Sequence, residues 1–217
     1  MDSVKVEVPS QRLSAVVYYP SDPALHERIR AALHDSAQAY VQDFVQSVEP
    51  VTPDMPEGQQ NYLGGGIDTF YAGPTLVSGR FVAVSEHVGD AHPSHAARCF
   101  MFDRRTGFPV YVGDLFAPDA PYLYVLSEQV RASLRTSFML GGIGLEDEAW
   151  FLNATAPLNE TFSCTSVSAD GLHVFFEPYR LGSYAFGEHE AVVPWPNLRR
   201  IVRSDGPAAA FLKPTVR

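Results

Sequence analysis

The chain has 217 residues, 46% of them hydrophobic, 12% aromatic and 19% charged, with a formal net charge of −9. This apolar content suits one globular unit, or two small lobes sharing a core, and argues against a disordered chain. The acidic balance repels phosphate backbones, so nucleic acid is disfavoured, and a basic partner is more easily accommodated; solubility alone also accounts for such a charge.

No apolar run is long enough to cross a bilayer, and no basic-then-apolar leader precedes the first strand-like residues. The chain therefore reads either as cytosolic or as an exported protein whose leader is absent from this sequence.

Val4-Lys5-Val6-Glu7-Val8 alternates like a strand, and residues 13–19 are rich in β-formers. Ser21-Asp22-Pro23 then predicts a helix start, with Asp22 as N-cap and Pro23 at the first helical position. Leu25, Ile29, Leu33, Tyr40, Phe44 and Val48 recur at helical spacing as one apolar stripe. Pro50, Pro53 and Pro56 stop that helix, and residues 49–60 read as an exposed loop.

Strand signals follow over 61–71, 76–87 and 96–102, with Ala72-Gly73-Pro74 turning between the first two. Asp103-Arg104-Arg105-Thr106-Gly107 is a tight turn, with 108–112 returning as its hairpin partner. Leu123, Leu126, Val130, Leu134 and Phe138 give the buried face of a second helix over 121–138, which Gly141-Gly142-Ile143-Gly144 ends. Strands over 161–167, 172–177 and 190–193 come next, the first two joined by Ala169-Asp170-Gly171, and a short helix over 196–202 closes the fold.

This order is strand-rich with two long helices and lacks a strict β–α alternation. It predicts an α+β fold of mixed or antiparallel sheets, with two half-domains sharing a core. The halves are expected at 1–75, a leading strand–helix–strand unit, and 76–203; the Ala/Pro-rich stretch 204–217 reads as a loosely ordered tail.

Cys99 and Cys164 both fall in strand-like runs. A disulfide between them would close a long loop; two separately buried thiols are the alternative. Neither lies in a CxxC pair, so nothing supports a zinc thiolate site or a redox motif.

The segment with the most chemical potential is Glu86-His87-Val88-Gly89-Asp90-Ala91-His92-Pro93-Ser94-His95. His87, His92, His95 and Asp90 are the candidate ligands of a divalent metal. Their spacing is not the helical His-Glu-x-x-His arrangement, and a polar loop in which His92 hydrogen-bonds the backbone is the competing reading. Ser94 beside two histidines suggests a serine hydrolase, but no Gly-x-Ser-x-Gly elbow occurs. Glu146 and Glu148 read as part of a solvated acidic loop rather than as a glycosidase pair. Gly141-Gly142-Ile143-Gly144 has no following Lys-Ser/Thr, which disfavours a phosphate loop. No cofactor motif is present.

In the stretch from Phe175 to Leu198, aromatic residues alternate with Gly and Pro. Tyr179, Tyr184, Phe186 and Trp195 read either as a core corner that pins a crossover or as a carbohydrate platform. The corner is the preferred reading, since large aromatic side chains are mostly buried.

Several short stretches, taken in order, resemble one family. Ala169-Asp170-Gly171-Leu172-His173-Val174-Phe175-Phe176-Glu177-Pro178-Tyr179 gives a turn, a strand and a Pro-Tyr corner. Leu181-Gly182-Ser183-Tyr184-Ala185-Phe186-Gly187 and a strand ending in Val193-Pro194-Trp195 follow. Upstream stand Gly89-Asp90-Ala91-His92, Phe102-Asp103-Arg104-Arg105-Thr106-Gly107 and Gly113-Asp114-Leu115-Phe116. Together these resemble the RsiV-like family of extracytoplasmic bacterial domains, with Asp90 in place of the second Gly of a Gly-Gly-Ala-His loop. The resemblance covers roughly 78–202; residues 1–75 fit by pattern only.

That family includes the outer portions of RsiV-type anti-sigma factors, which resemble lysozyme receptors. It also includes an accessory region of some peptidoglycan deacetylases, and secreted antigens. Its members share a fold and an exported location, not a reaction. The resemblance implies a non-enzymatic binding module that is periplasmic, cell-surface or secreted. Its expected partner is a basic protein such as lysozyme, or a cell-wall glycan. The competing readings are a cell-wall hydrolase or deacetylase-like enzyme using the His-rich loop, and a purely structural accessory domain.

Overall fold

The structure is a computed structural model that describes residues 1–52 and 55–212. Pro53, one of the prolines expected to stop the first helix, lies outside the described residues, as does 213–217 of the expected tail.

The fold is α+β, as the element order predicts. A five-stranded sheet has the order β1 (Asp2–Val8), β2 (Leu13–Tyr19), β3 (Asn61–Ala72), β4 (Leu76–Glu86) and β5 (Ser94–Asp103). A three-stranded sheet has the order β6 (Thr165–Val167), β7 (Gly171–Phe176) and β8 (His189–Pro194). Two long helices, α1 (Glu27–Ser47) and α2 (Tyr122–Gly141), join two short ones, α3 (Glu148–Ala154) and α4 (Trp195–Leu198). The chain divides into two compact units, Met1–Thr69 with Phe81–Arg98, and Phe70–Arg80 with Cys99–Arg217.

In the first unit, β1 pairs antiparallel with β2, and β2 pairs parallel with β3. Leu13, Ala15 and Val17 alternate inward on β2, and α1 packs on β1 and β2. Its inward stripe is Ile29, Leu33, Ala37, Tyr40, Val41 and Phe44, so the apolar periodicity identified the buried face. The helix begins later than Asp22 suggested. Asp22 instead closes a preceding turn, accepting from Ala24 N at 2.8 Å, while His26 caps the helix by accepting from Arg28 N. Within Gly64-Gly65-Gly66 on β3, Gly65 is needed for close approach, because a Cβ there would lie 2.7 Å from the Val82 carbonyl oxygen.

In the second unit, β7 is the centre of an antiparallel sheet whose buried Leu172, Val174 and Phe176 alternate in register with β8. α2 packs on β8, placing Leu126, Val130, Leu134 and Phe138 in the core. It ends where the glycine run predicts: Gly142 is left-handed at φ +66, and Ile143 N donates to Phe138 O.

The acidic Glu146-Asp147-Glu148 is exposed, as expected, and each residue also has a structural role. Asp147 caps α3 by accepting from Trp150 N at 2.7 Å, Glu146 accepts from Ser183 N and Oγ, and Glu148 pairs with Arg135. The segment after Arg203 packs as far as Leu212. Ala208 is buried, and Phe211 lies parallel to Trp195 with centroids 4.4 Å apart. None of the described helices is long and apolar enough to cross a membrane.

Candidate functional site

The His-rich segment lies in the first unit. His87 ends the run beyond β4, and Asp90 folds back on it, accepting from His87 N at 2.8 Å while Asp90 N donates to His87 O. Gly89 supplies the left-handed residue of this turn, at φ +97. The His87 ring has Ser47 Oγ at 2.8 Å and Asp90 Oδ2 at 3.4 Å, and packs on Phe44. His92 is exposed, with Nδ1 3.2 Å from the Pro93 carbonyl oxygen, and His95 is exposed on β5. The structure thus brings His87 and Asp90 together. Among the described residues, no group of three or more His, Cys, Asp or Glu is placed to hold a metal ion.

The aromatic stretch divides. Trp195 is 3% exposed, donates its indole N–H to Ser168 O at 2.9 Å, and stacks on Phe211. Phe186 packs on Phe138 and His189. Tyr179 takes a left-handed backbone, φ +69, and is 55% exposed, 5.5 Å from the Tyr184 ring.

A charged network escaped sequence reading because its members come from a turn and from two strands. His173 on β7 faces Glu190 on β8, with Nδ1 2.5 Å from Oε1. On the other side, His173 Nε2 lies 2.7 Å from Ser168 Oγ and 3.2 Å from Asp170 Oδ1. The order hydroxyl–imidazole–carboxylate matches that of a nucleophile, base and orienting acid. Asp170 changes its meaning, since Ser168 Oγ donates its hydrogen bond to Asp170 Oδ1. Ser168 N donates to Gly171 O, and Asp170 N donates to Ser168 Oγ. The group therefore closes the β6–β7 hairpin. Burial alone would lower the His173 pKa, but the hydrogen bonds and charges of Glu190 and Asp170 outweigh it and hold the imidazolium above its ordinary range. Asp170 is held below the usual carboxylate range, first by the Ser168 hydroxyl and also by His173.

A different feature of the second unit is a groove of about 480 Å³. Five aromatic residues, Phe100, Phe102, Tyr111, Tyr122 and Phe162, line it with Asn159 and Ser163. None of its described lining side chains carries a charge. Several local devices build it. Asp103 closes the hairpin after β5 by accepting from Thr106 N at 2.7 Å and Thr106 Oγ1 at 2.8 Å, with Gly107 at φ +71. Asp114 accepts from Tyr111 N at 2.8 Å, fixing the turn that presents Tyr111. Phe116 stacks under Tyr122, and the Tyr122 hydroxyl donates to Asn159 Oδ1 at 3.1 Å. Cys99, bonded to Cys164, forms part of the wall. The Asp-x-x-Thr-Gly and Asp-Leu-Phe stretches are therefore scaffolding for this groove. Its lining was not legible in sequence because it comes from β5, the 109–113 turn, α2 and the 159–165 stretch.

Residues 113–196 match the family described as "Protein of unknown function (DUF3298)". The chain is 25% identical over 118 residues to the peptidoglycan-N-acetylmuramic acid deacetylase PdaC of Bacillus subtilis, which covers 54% of this chain and 24% of that protein. The chain thus spans about a quarter of the length of this curated relative. Crystal structures of two DUF3298 family proteins share the fold. The one from Bacteroides fragilis superposes with a TM-score of 0.62 at 15% identity, over 98% of this chain and 96% of that one. The one from Pseudomonas aeruginosa gives a TM-score of 0.50 at 15% identity, with 93% of each chain covered.

Proposed function

We propose that this chain is a binding module of the bacterial cell envelope, which recognises a wall component without transforming it. The observation that carries this reading is the uncharged aromatic groove. Aromatic faces with a few convergent polar groups suit ligand binding. Gly113, Tyr122, Asn159 and Ser163 of its lining fall within the stretch that matches DUF3298. The likeness to part of a peptidoglycan deacetylase supports a cell-envelope location, as does the RsiV-like resemblance of the same half. The Cys99–Cys164 disulfide fits an oxidising compartment, which supports a periplasmic, cell-surface or secreted protein.

Two features weigh against the enzyme reading. The His-rich loop pairs His87 with Asp90 in a turn, and the Ser168 hydroxyl is held by Asp170. A second reading keeps a basic protein such as lysozyme as partner, and the net charge of −9 favours it through long-range steering. That partner would engage acidic surface outside the groove, since the groove carries no countercharge. Titration with lysozyme at two salt concentrations and co-sedimentation with purified peptidoglycan separate the two. Salt-sensitive, saturable lysozyme binding without peptidoglycan binding selects the protein partner. Saturable peptidoglycan binding selects the wall.

A further inference from the structure

Resting on that reading, we infer that the groove between β5 and the start of α2 is a binding site for an uncharged N-acetylated saccharide. On a chain of net charge −9, the described lining from Cys99 to Thr165 has no acidic or basic side chain. A cationic ligand finds no counter-ion there, and an anionic one is opposed by the overall charge. The ligand best matched in charge is neutral.

Phe100, Phe102, Tyr111 and Tyr122 give flat apolar surface of the kind on which the C–H faces of a pyranose ring pack. Tyr111 is 70% exposed although its backbone is fixed by Asp114, so a large ring is held in solvent by design of the turn. Met101, Val110 and Phe162 add an apolar wall suited to an acetamido methyl group. Asn159 uses its carbonyl oxygen to accept from Tyr122, which leaves its amide nitrogen as a donor, and Ser163 Oγ donates to Glu160 O, which leaves its lone pairs as acceptors. One donor and one acceptor beside an apolar wall complement an N-acetyl amide. The volume of about 480 Å³ suits a short oligosaccharide segment.

The groove is also held rigidly. The hairpin closed by Asp103, the Phe116–Tyr122 stack and the Cys99–Cys164 bond each fix one wall. Little ordering is then required when a ligand binds, which favours affinity for a small, flexible sugar chain.

The test is calorimetric titration of the intact chain with the neutral tetramer of N-acetylglucosamine, with cellotetraose as the non-acetylated control and a wall stem peptide as the competing ligand. The expected result is saturable binding of the acetylated tetramer, at least tenfold weaker binding of cellotetraose, and none of the peptide. Tyr111→Ala should weaken tetramer binding at least tenfold with an unchanged melting temperature, whereas Tyr18→Ala, in the first unit, should leave it unaltered. Absence of tetramer binding, equal binding by Tyr111→Ala, or preference for the stem peptide overturns the inference. If whole peptidoglycan still sediments the protein while the tetramer fails, the saccharide assignment falls and the wall-binding reading stands.

Discussion

The Cα atoms of Cys99 and Cys164 lie 4.7 Å apart and their sulfurs are bonded, so β5 is tied to the segment that leads into β6. The bond closes a loop with a sequence separation of 65. In the chain-entropy account, a loop of that length contributes about 4 kcal/mol by restricting the unfolded chain. The double variant Cys99→Ser/Cys164→Ser should therefore unfold at markedly lower urea. Native protein should resist thiol alkylation until it is reduced. Two thiols that react in the unreduced native protein would contradict the bond.

Asp103 makes a second testable relationship. Burial alone would raise its pKa, but hydrogen bonds from the Thr106 hydroxyl and backbone N–H outweigh that and hold the carboxyl below its ordinary value of 3.8. A carboxyl whose folded pKa is depressed stabilises the fold above 3.8, and that contribution is lost as pH falls through the folded value. Asp103→Ala should cost about 1–2 kcal/mol at neutral pH, read from the urea midpoint, and less at pH 3. Asp103→Asn keeps an acceptor and should cost less than the alanine variant.

His173 has the opposite sign. Its folded pKa is raised above 6.5, since Glu190 and Asp170 together outweigh burial. The stabilisation is fully present below pH 6.5 and is lost as pH rises through the folded pKa. His173→Gln should therefore destabilise the protein more at pH 5.5 than at pH 9. His189 opposes this in the intact chain, because burial against Phe138 and Phe186 lowers its pKa and penalises its protonation. The comparison must be variant against parent at each pH. An equal destabilisation at both values would show that the His173 charge takes no part.

Those relationships also show what sequence could and could not reveal. The periodic stripes of α1 and α2 named their buried faces, because burial repeats every turn and needs no knowledge of the rest of the fold. The Asp103 turn was legible because its chemistry is local. Helix α3 was not, since its acidic N-cap Asp147 sat in a run of carboxylates that reads as solvated. His173 and Glu190 meet only through the β7–β8 register, and the groove joins segments from Cys99 to Thr165. No local pattern carries such information. In the His-rich loop, closeness in sequence suggested a ligand set; the structure brings His87 and Asp90 together in one turn and leaves His92 and His95 exposed.

The most direct measurement of the central claim is co-sedimentation of the purified chain with insoluble bacterial peptidoglycan, with acetate and reducing sugar assayed in the supernatant. The account predicts saturable sedimentation that Tyr111→Ala reduces severalfold, with neither product rising above the protein-free control. A chain that stays in the supernatant at every peptidoglycan concentration, or that releases either product in proportion to its own concentration, would contradict it.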